Sequence, residues 1–364
     1  MKTTSILTLA KKAYLSESLT RPDWTVDNSR DEDLLWLDKN ENIDPALSEK
    51  LNHILRDLKP FSVNTYPETA KVYKKLAEKN QMSPHNFLLT NGSDGSIRMM
   101  FDVFIEPGDK VLHTNPTFAM YSVYSKMFGA NQITLDYELV NNNPKLNVEN
   151  FFNLIKIEKP KLVCLPNPDS PTGTVLDDKD MQALIKMTNE MNILLLIDEA
   201  YYPFYDKTVM ALVNEYQNLF VCRTFSKAWG AAGIRVGFLA GHPEIMKIVH
   251  KNRAMYELST LSTEFINVLI DNEDEMLKTV SRLKDGKKYF INELHELGFQ
   301  TTQTYGNFLH VDFGEARNRI EVALKNTVLF RATFKGTCLE NFSRFSLGTK
   351  EQFEMIIKVI KEIV

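Results

Sequence analysis

Only three cysteines occur in 364 residues, Cys164, Cys222 and Cys338. They stand apart from one another, without the spacing of a metal site or a disulfide framework. Two fall inside apolar, strand-like runs and read as buried, reduced thiols. Nowhere do 18 apolar residues follow one another, and Met1–Leu15 has no apolar run of secretory length, so neither a membrane span nor a signal segment is expected and the chain reads as cytoplasmic. Charge of one sign is scarce too. A formal net charge of -4 gives nucleic acid no electrostatic reason to bind. No repeat, low-complexity tract or long Pro/Gly linker is present. What is there is an ordinary globular composition, 43% hydrophobic and 25% charged, in a chain longer than one core usually supports. Two domains and small-molecule partners are the expectation.

Domain limits therefore rest on the rhythm of the pattern. Between Asn86 and Gly241 short apolar runs alternate with amphipathic stretches: Asn86–Thr90, Lys110–His113, Gln132–Asp136, Leu162–Leu165, Ile193–Ile197, Leu219–Arg223 and Gly237–Ala240 predict seven strands, with helices such as Ser96–Phe104 and Asp178–Met191 between them. Strand–helix alternation predicts an α/β fold with a mostly parallel sheet covered on both faces, whose ligands sit beyond the carboxyl ends of the strands. Past His242 the pattern becomes a long charged helical region through Leu297, then strands at Asn307–Phe313, Val328–Arg331 and Arg344–Leu347 and a last helix from Lys350. This predicts a large domain over residues 37–250 and a smaller α+β domain over 251–364. Residues 1–36 have weak periodicity and are expected to form an arm on the small domain or on a partner subunit.

The strand ends carry the chemistry. Thr90-Asn91-Gly92-Ser93-Asp94-Gly95-Ser96 is a small-residue turn entering a helix, where free N–H groups and the helix dipole suit a phosphate, although Ser93 or Asp94 could equally be a plain helix cap. Leu165-Pro166-Asn167-Pro168-Asp169-Ser170-Pro171-Thr172-Gly173 is a rigid turn, and Ser170–Pro171 is a candidate cis bond. Ile193–Ile197 delivers Asp198-Glu199-Ala200-Tyr201, a carboxylate at the end of a strand too apolar to be anything but central. Such an anion needs a positive partner: a protonated pyridine nitrogen would serve, as would a structural ion pair or a capping role. Last comes Arg223-Thr224-Phe225-Ser226-Lys227-Ala228-Trp229-Gly230-Ala231-Ala232-Gly233-Ile234-Arg235. Here hydroxyls at Thr224 and Ser226 and the Arg235 cation can gather around a phosphate. Lys227, a surface charge in most settings, is set among small and apolar residues that lower an amine's pKa toward a nucleophile's.

These motifs resemble those of the fold-type-I pyridoxal-phosphate aminotransferases: Ser226-Lys227 with Arg235 eight residues on, the Asp-Glu-Ala-Tyr strand end, and the Pro-Thr-Gly turn. Within them the chain is most similar to histidinol-phosphate aminotransferases, from Asp38-Lys39-Asn40-Glu41-Asn42, through Tyr66-Pro67-Glu68, to Arg344-Phe345-Ser346-Leu347-Gly348-Thr349. The resemblance implies an aspartate-aminotransferase-like sheet of seven strands with pyridoxal 5'-phosphate as cofactor. Lys227 would hold it as a Schiff base, Asp198 would face the ring nitrogen and Tyr201 the ring hydroxyl. Ser93, Asp94, Thr224, Ser226 and Arg235 would hold its phosphate. Phe118, in Asn115-Pro116-Thr117-Phe118, falls where the family stacks an aromatic ring on the cofactor; the other reading of it is an ordinary core residue. Tyr66 matches a tyrosine that reaches the phosphate from the neighbouring subunit, implying a homodimer with shared sites. Arg344 matches the arginine of the substrate α-carboxylate, and Arg331 a second arginine used for a substrate phosphate.

Two departures stand out. Ser170 replaces the asparagine that usually precedes Pro-Thr-Gly, leaving the ring hydroxyl to Ser170, Asn167 or Tyr201 alone. Asn40–Pro45, which lines the substrate pocket and includes Asn42, lacks the family's Pro-x-Gly-Pro continuation. The expectation is a transaminase taking nitrogen from L-glutamate to a phosphorylated ketone or aldehyde, either imidazole-acetol phosphate or a shorter one such as dihydroxyacetone phosphate. The nearest alternative is a decarboxylase of a phosphorylated amino acid on the same scaffold. A cofactor-bound transcription regulator is disfavoured, since no basic helix-turn-helix segment precedes Ser93.

Overall fold

The computed structural model describes residues 10–20, 29–58 and 63–364. All seven expected runs form strands of one sheet: β1 (Phe87–Thr90), β2 (Lys110–Asn115), β3 (Asn131–Asp136), β4 (Leu162–Pro166), β5 (Leu194–Asp198), β6 (Leu219–Thr224) and β7 (Gly237–Gly241). Their order across the sheet is β1-β7-β6-β5-β4-β2-β3. Only β7 runs against its neighbours. The link from β6 to β7, Phe225–Val236, holds only the short 3-10 turn Ala232–Ile234 and no crossover α-helix, and the chain comes back antiparallel.

Successive residues of the central strands point to opposite faces, and each face has its own core. Val163, Leu165, Leu195, Ile197 and Val221 pack with Leu184 and Ile185 of the helix Asp178–Glu190. Cys164, Leu196, Phe220, Cys222 and Leu239 pack on the other side with Ile97, Met100 and Phe101 of the helix Gly92–Phe104. Burial on both faces explains why these strands read as unbroken apolar runs rather than alternating ones. Each such side chain contributes about 1.5–3 kcal/mol.

A second sheet, β8 (Gln300–Thr301), β9 (Phe308–Asp312) and β10 (Ser343–Ser346), is antiparallel. The helices Glu273–Glu296 and Lys350–Lys361 cover it. Phe290 stacks on Phe353 at 4.2 Å between ring centres, and the last helix opens on a capping box between Thr349 and Gln352. This is the smaller α+β part of the molecule. The expected long helical region is divided into Pro243–Val249, Thr260–Leu269 and Glu273–Glu296; Ser259 restarts the chain by capping the Ser262 amide. Among the described residues, no helix is long and apolar enough to cross a membrane.

The segment after residue 34 ties the two sheets together. Leu35–Trp36 pairs with Val328–Leu329, the Asn40 amide donates to Ser346 Oγ at 2.8 Å, and Asp44 both caps the helix Pro45–Arg56 and pairs with Arg282 at 2.6 Å. Residues 38–40 are thereby laid across the end of the large sheet. Of the expected arm, residues 1–9 and 21–28 lie outside the described set. Residues 10–20 approach the helix Met120–Met127, where Lys126 Nζ donates to the Ser18 carbonyl at 2.8 Å.

Candidate active site

Sheet register decides which loops meet. Gly237 on β7 sits opposite both Thr90 and Thr224, while Pro166, Asp198 and Cys222 lie in line across β4, β5 and β6. The carboxyl ends of β1, β2, β4, β5 and β6 therefore open on one edge. Beyond that edge is a cavity of about 480 Å³, a size usual for small-molecule sites. Ser93, Asp94, Phe118, Ser170, Asp198, Tyr201, Thr224, Ser226, Lys227, Arg235, Arg331 and Arg344 all line it. Residues far apart in the chain and singled out separately are thus brought to one place.

At one end the helix Gly92–Phe104 begins without a side-chain cap, unlike the helices Val148–Glu158 and Asp178–Glu190, capped by Asn147 and Asp177. Plain capping by Ser93 or Asp94 is thus not what the turn does. Asp94 instead accepts the Tyr124 hydroxyl at 2.9 Å. Uncapped first-turn amides are an anion site in waiting. Arg235 stands beside them, its Nη1 donating to Ser226 Oγ at 3.2 Å, and Ser226 in turn meets Thr224 Oγ1 at 2.9 Å. The guanidinium comes so near the helix start that a Cβ on Gly92, whose φ is +70°, would lie 2.7 Å from Arg235 Nη2. Hydroxyls, amides and a cation converge there, and the one carboxylate at the helix start, Asp94, is engaged by Tyr124.

In the middle of the cavity floor is Asp198, only 4% exposed. Tyr121 donates to Oδ2 at 3.1 Å, the Ala200 amide donates to Oδ1 at 3.0 Å, and the Cys222 thiol also reaches the carboxylate. No cationic side chain pairs with it among the described residues. Burial, opposed first by the Tyr121 hydrogen bond, pushes its pKa up to about 6. Such a carboxylate lacks a positive partner, and one arriving from the cavity would restore its ordinary acidity.

Lys227 projects between these features, its Nζ donating to the Lys39 carbonyl at 2.9 Å. Burial holds its pKa down to about 8, with the Arg344 and Arg235 guanidiniums adding to the effect and Glu41 and Asp198 opposing it. An amine with that pKa is partly neutral near pH 7.5 and able to act as a nucleophile or base. Tyr201 points its hydroxyl at the same space, where it takes a hydrogen bond from Asn40 Nδ2 at 2.9 Å and meets Ser170. Arg344, 6% exposed, spends one nitrogen on the Asp38 carbonyl at 2.6 Å, while its Nε has no partner. Arg331 lies directly across from it, joined by two backbone hydrogen bonds of 3.0 and 2.8 Å. Of the expected strand Val328–Arg331, Val328–Leu329 pairs with Leu35–Trp36, and Arg331 meets Arg344 as an isolated bridge beyond it. Phe334 lies between the two guanidiniums, 4.2 Å from that of Arg331 and 5.4 Å from that of Arg344.

Three singled-out residues are not in the lining. Asn167 uses Oδ1 to accept the Leu176 amide at 2.8 Å, which closes the back of its own turn. Asn42 donates to the Ala228 carbonyl at 2.9 Å and supports the Lys227 loop from behind; Asn40 is the residue of that segment at the cavity. Tyr66 is 72% exposed and stacks on Tyr256 at 4.1 Å, on the protein surface. Conversely, Tyr121 and Cys222 touch Asp198 and were legible only as core residues, since both belong to apolar-periodic segments. Lys335 and Thr337 line the cavity mouth in a stretch without periodicity. The Ser170–Pro171 bond is cis.

The chain matches the family aminotransferase class I and II over residues 32–360. The histidinol-phosphate aminotransferase of Caldanaerobacter subterraneus subsp. tengcongensis is 32% identical over 338 residues, covering 90% of this chain and 92% of that protein. In fold the chain is similar to histidinol-phosphate aminotransferase from Sinorhizobium meliloti in complex with pyridoxal-5'-phosphate, with a TM-score of 0.76 and 19% identity over 91% of each chain. It is also similar to L-threonine-O-3-phosphate decarboxylase from Porphyromonas gingivalis, with a TM-score of 0.74 and 18% identity over 90% of this chain and 99% of that one.

Proposed function

The chain belongs to the class I and II aminotransferases, enzymes that use pyridoxal 5'-phosphate, and we propose that it moves nitrogen from L-glutamate to a small phosphorylated ketone or aldehyde in sites shared by two subunits. The observation that carries this reading is the bridged pair Arg331 and Arg344 on one wall of the cavity. Two fixed guanidiniums give a small site two anion points. One suits the α-carboxylate of a donor, the other the distal anion of donor or acceptor. Lys335 and Thr337 beside Arg331 add donors fit for a phosphate.

The residues present fit the cofactor. The uncapped helix start with Thr224, Ser226 and Arg235 offers a dianion the donors it needs, and Asp198 offers a carboxylate to a protonated ring nitrogen. Tyr201 and Ser170 would take the ring hydroxyl, Phe118 the ring face, and Lys227 would be the covalent anchor. When bound, pyridoxal phosphate supplies an aldehyde carbon that captures an amino group and a ring that accepts electron density from the substrate α-carbon.

What the protein does is hold and move charge around that chemistry. Arg344, with an unpartnered Nε, orients the substrate by its carboxylate. The Lys227 amine, once released from anchoring duty, takes the α-proton on Nζ and gives it back; with a pKa of about 8 it suits both directions. Asp198, with no cationic partner among the described residues, would hold a proton on the ring nitrogen. Tyr66, exposed beside Tyr256 rather than turned toward its own cavity, would complete the phosphate site of a second subunit.

The test is direct. Glutamate added to the yellow holoenzyme should bleach the visible band with release of 2-oxoglutarate, and phosphorylated ketones, screened singly, should restore the colour. A protein that no amino acid bleaches would end the aminotransfer reading. Release of carbon dioxide from an amino-acid phosphate, without keto acid from glutamate, would assign the same two anion points to the decarboxylation for which the Porphyromonas gingivalis protein of similar fold is named.

A further inference from the structure

The turn Asn167–Gly173, which brings Ser170 to the cavity, is gripped from two sides. On its own sheet Asp169, fully buried, accepts three hydroxyls, from Thr114 at 2.7 Å, Tyr137 at 2.7 Å and Thr117 at 2.8 Å. The second grip comes from the small sheet. His310 on β9 sets Nε2 2.6 Å from the Pro171 carbonyl, and the Tyr305 amide donates to the Gly173 carbonyl at 2.8 Å. Thr304 stands so close that a Cβ on Gly173, at φ +74°, would lie 2.5 Å from it. Lys287 fixes Thr304 in turn, through its hydroxyl at 2.8 Å.

A carbonyl oxygen only accepts, so His310 carries its proton on Nε2, and Nδ1 is left buried without a partner. Burial first, with the Arg344, Arg331 and Lys287 cations adding, pushes the ring's pKa down to about 3, so it stays neutral at working pH. Register adds the link to the substrate side. His310 lies directly opposite Arg344, and directly opposed residues of an antiparallel pair project from the same face. One strand pair therefore holds both the carboxylate-binding arginine and the carbonyl next to Ser170.

We infer that His310 is a positioning residue for the reaction: by holding the Pro171 carbonyl it sets the short side chain of Ser170 against the Tyr201 hydroxyl, and it locks that arrangement to the strand bearing Arg344. This rests on the reading that Ser170 and Tyr201 face the cofactor's ring hydroxyl. A serine reaches less far than the asparagine it replaces, so its backbone has to be held closer, and the histidine does so from outside the large sheet.

The experiment follows the visible absorption of the holoenzyme against pH in the wild type, His310→Leu, His310→Gln, Ser170→Ala and the double variant Ser170→Ala/His310→Leu. A hydrogen-bond donor on the ring oxygen draws charge from the neighbouring nitrogen and lowers its basicity. Loss of the donor should therefore raise the midpoint, by about half to one pH unit for a single hydrogen bond. The inference requires that His310→Leu and Ser170→Ala raise it alike and that the double variant rises no further. His310→Gln, which keeps an N–H at similar reach, should restore most of the native midpoint. The KM for glutamate should rise in His310→Leu but not in Ser170→Ala, because only the former loosens Arg344. If Ser170→Ala shifts the midpoint and His310→Leu does not, the positioning role is overturned while the cofactor reading stands. If Ser170→Ala leaves the midpoint in place, the assignment of Ser170 fails and the inference with it. Should His310→Leu not fold, His310→Gln and His310→Phe carry the comparison, and equal midpoints in those two overturn it.

Discussion

Arg344 and Arg331 have opposite settings, and the difference sets the size of what their removal should do. Arg344 is 6% exposed, spends one nitrogen on a carbonyl and keeps Nε free. A carboxylate meeting it is nearly desolvated, and truncating one partner of such a pair costs about 3–5 kcal/mol. At 1.36 kcal/mol per decade, Arg344→Ala should slow the glutamate half-reaction by roughly 10²- to 10³-fold or more. Arg331 is exposed. Water and salt screen its pairing, so Arg331→Ala should cost about 1–2 kcal/mol, a loss of about 5- to 30-fold in acceptor kcat/KM. The assay is stopped-flow, with each half-reaction followed by colour: bleaching by glutamate, then recovery with a phosphorylated ketone. Arg331→Ala should slow recovery with the phosphorylated ketone and leave recovery with its unphosphorylated analogue almost unchanged. Equal losses with both acceptors would refute the idea that this arginine reads a phosphate. An intact glutamate half-reaction in Arg344→Ala would refute the carboxylate assignment.

Three further outcomes follow from other parts of the site. Lys227→Arg should lose the visible band, and borohydride reduction of the wild-type holoenzyme should fix the cofactor's mass on the peptide containing Lys227; labelling at another lysine would remove the anchor role. Subunits bearing Lys227→Ala and Tyr66→Ala, each defective alone, should regain activity when refolded together, because the mixed dimer holds one site with a native Lys227 and a native Tyr66; no recovery would speak against the shared site. In the cofactor-free protein, burial raises the pKa of Asp198 and of Asp169 from 3.8 to about 6. The folded chain then holds more protons than the unfolded one between those values, so stability falls as pH rises through that window, by on the order of 3 kcal/mol for each group. Thermal melts of the apoprotein from pH 4 to 7 should show a smaller decline in Asp198→Asn than in wild type, and parallel curves would refute the assignment.

Most of the sheet was legible because most of its strands are buried on both faces. They read as short apolar runs stopped by Thr90, Pro166, Asp198 or Thr224, whereas the edge strand Asn131–Asp136, largely exposed, shows only the alternation of Ile133 and Leu135 with polar residues. The hairpin Glu138–Val140 with Asn143–Lys145 was not legible. Its first strand is three residues long and exposed throughout, Leu139 and Val140 included, too short for a period to show, and its clearest mark is Asn141-Asn142, both at positive φ in the turn. The site was read in pieces, since each loop has its own motif, but which side chain of a loop faces inward is set by tertiary hydrogen bonds. Asn167 and Asn42 were chosen for chemistry that their neighbours use for structure, whereas Tyr121 and Cys222 looked like core and touch Asp198. His310 could not be found by pattern, because its partner is a backbone carbonyl 139 positions away.

The polar groups of the cavity, taken together, fit a ligand of mixed charge. At one end are the uncapped amides and Arg235. On the floor is Asp198, with no cationic partner among the described residues. On the wall, Arg344 has no partner for Nε among the described residues, and burial, with the Arg344 and Arg235 guanidiniums adding, holds the pKa of the Lys227 amine down to about 8. Each is complementary to a group carried by a phosphorylated, ring-protonated cofactor or by a carboxylate substrate. A ligand that binds only the folded chain stabilises it by RT ln(1 + [L]/Kd), about 4 kcal/mol at a thousandfold excess over Kd. An order of events follows. On the proposed reading, the cofactor alone would pair with the phosphate cradle and with Asp198, bringing a negative and a positive group into the cavity together. Arg344 and Arg331 would be left for the substrate. A carboxylate should therefore raise the melting temperature of the cofactor-loaded protein further, and inorganic phosphate should do so at Arg331 without bleaching the colour. If phosphate stabilised wild type and Arg331→Ala equally, the second anion point would have to be sought elsewhere in the cavity.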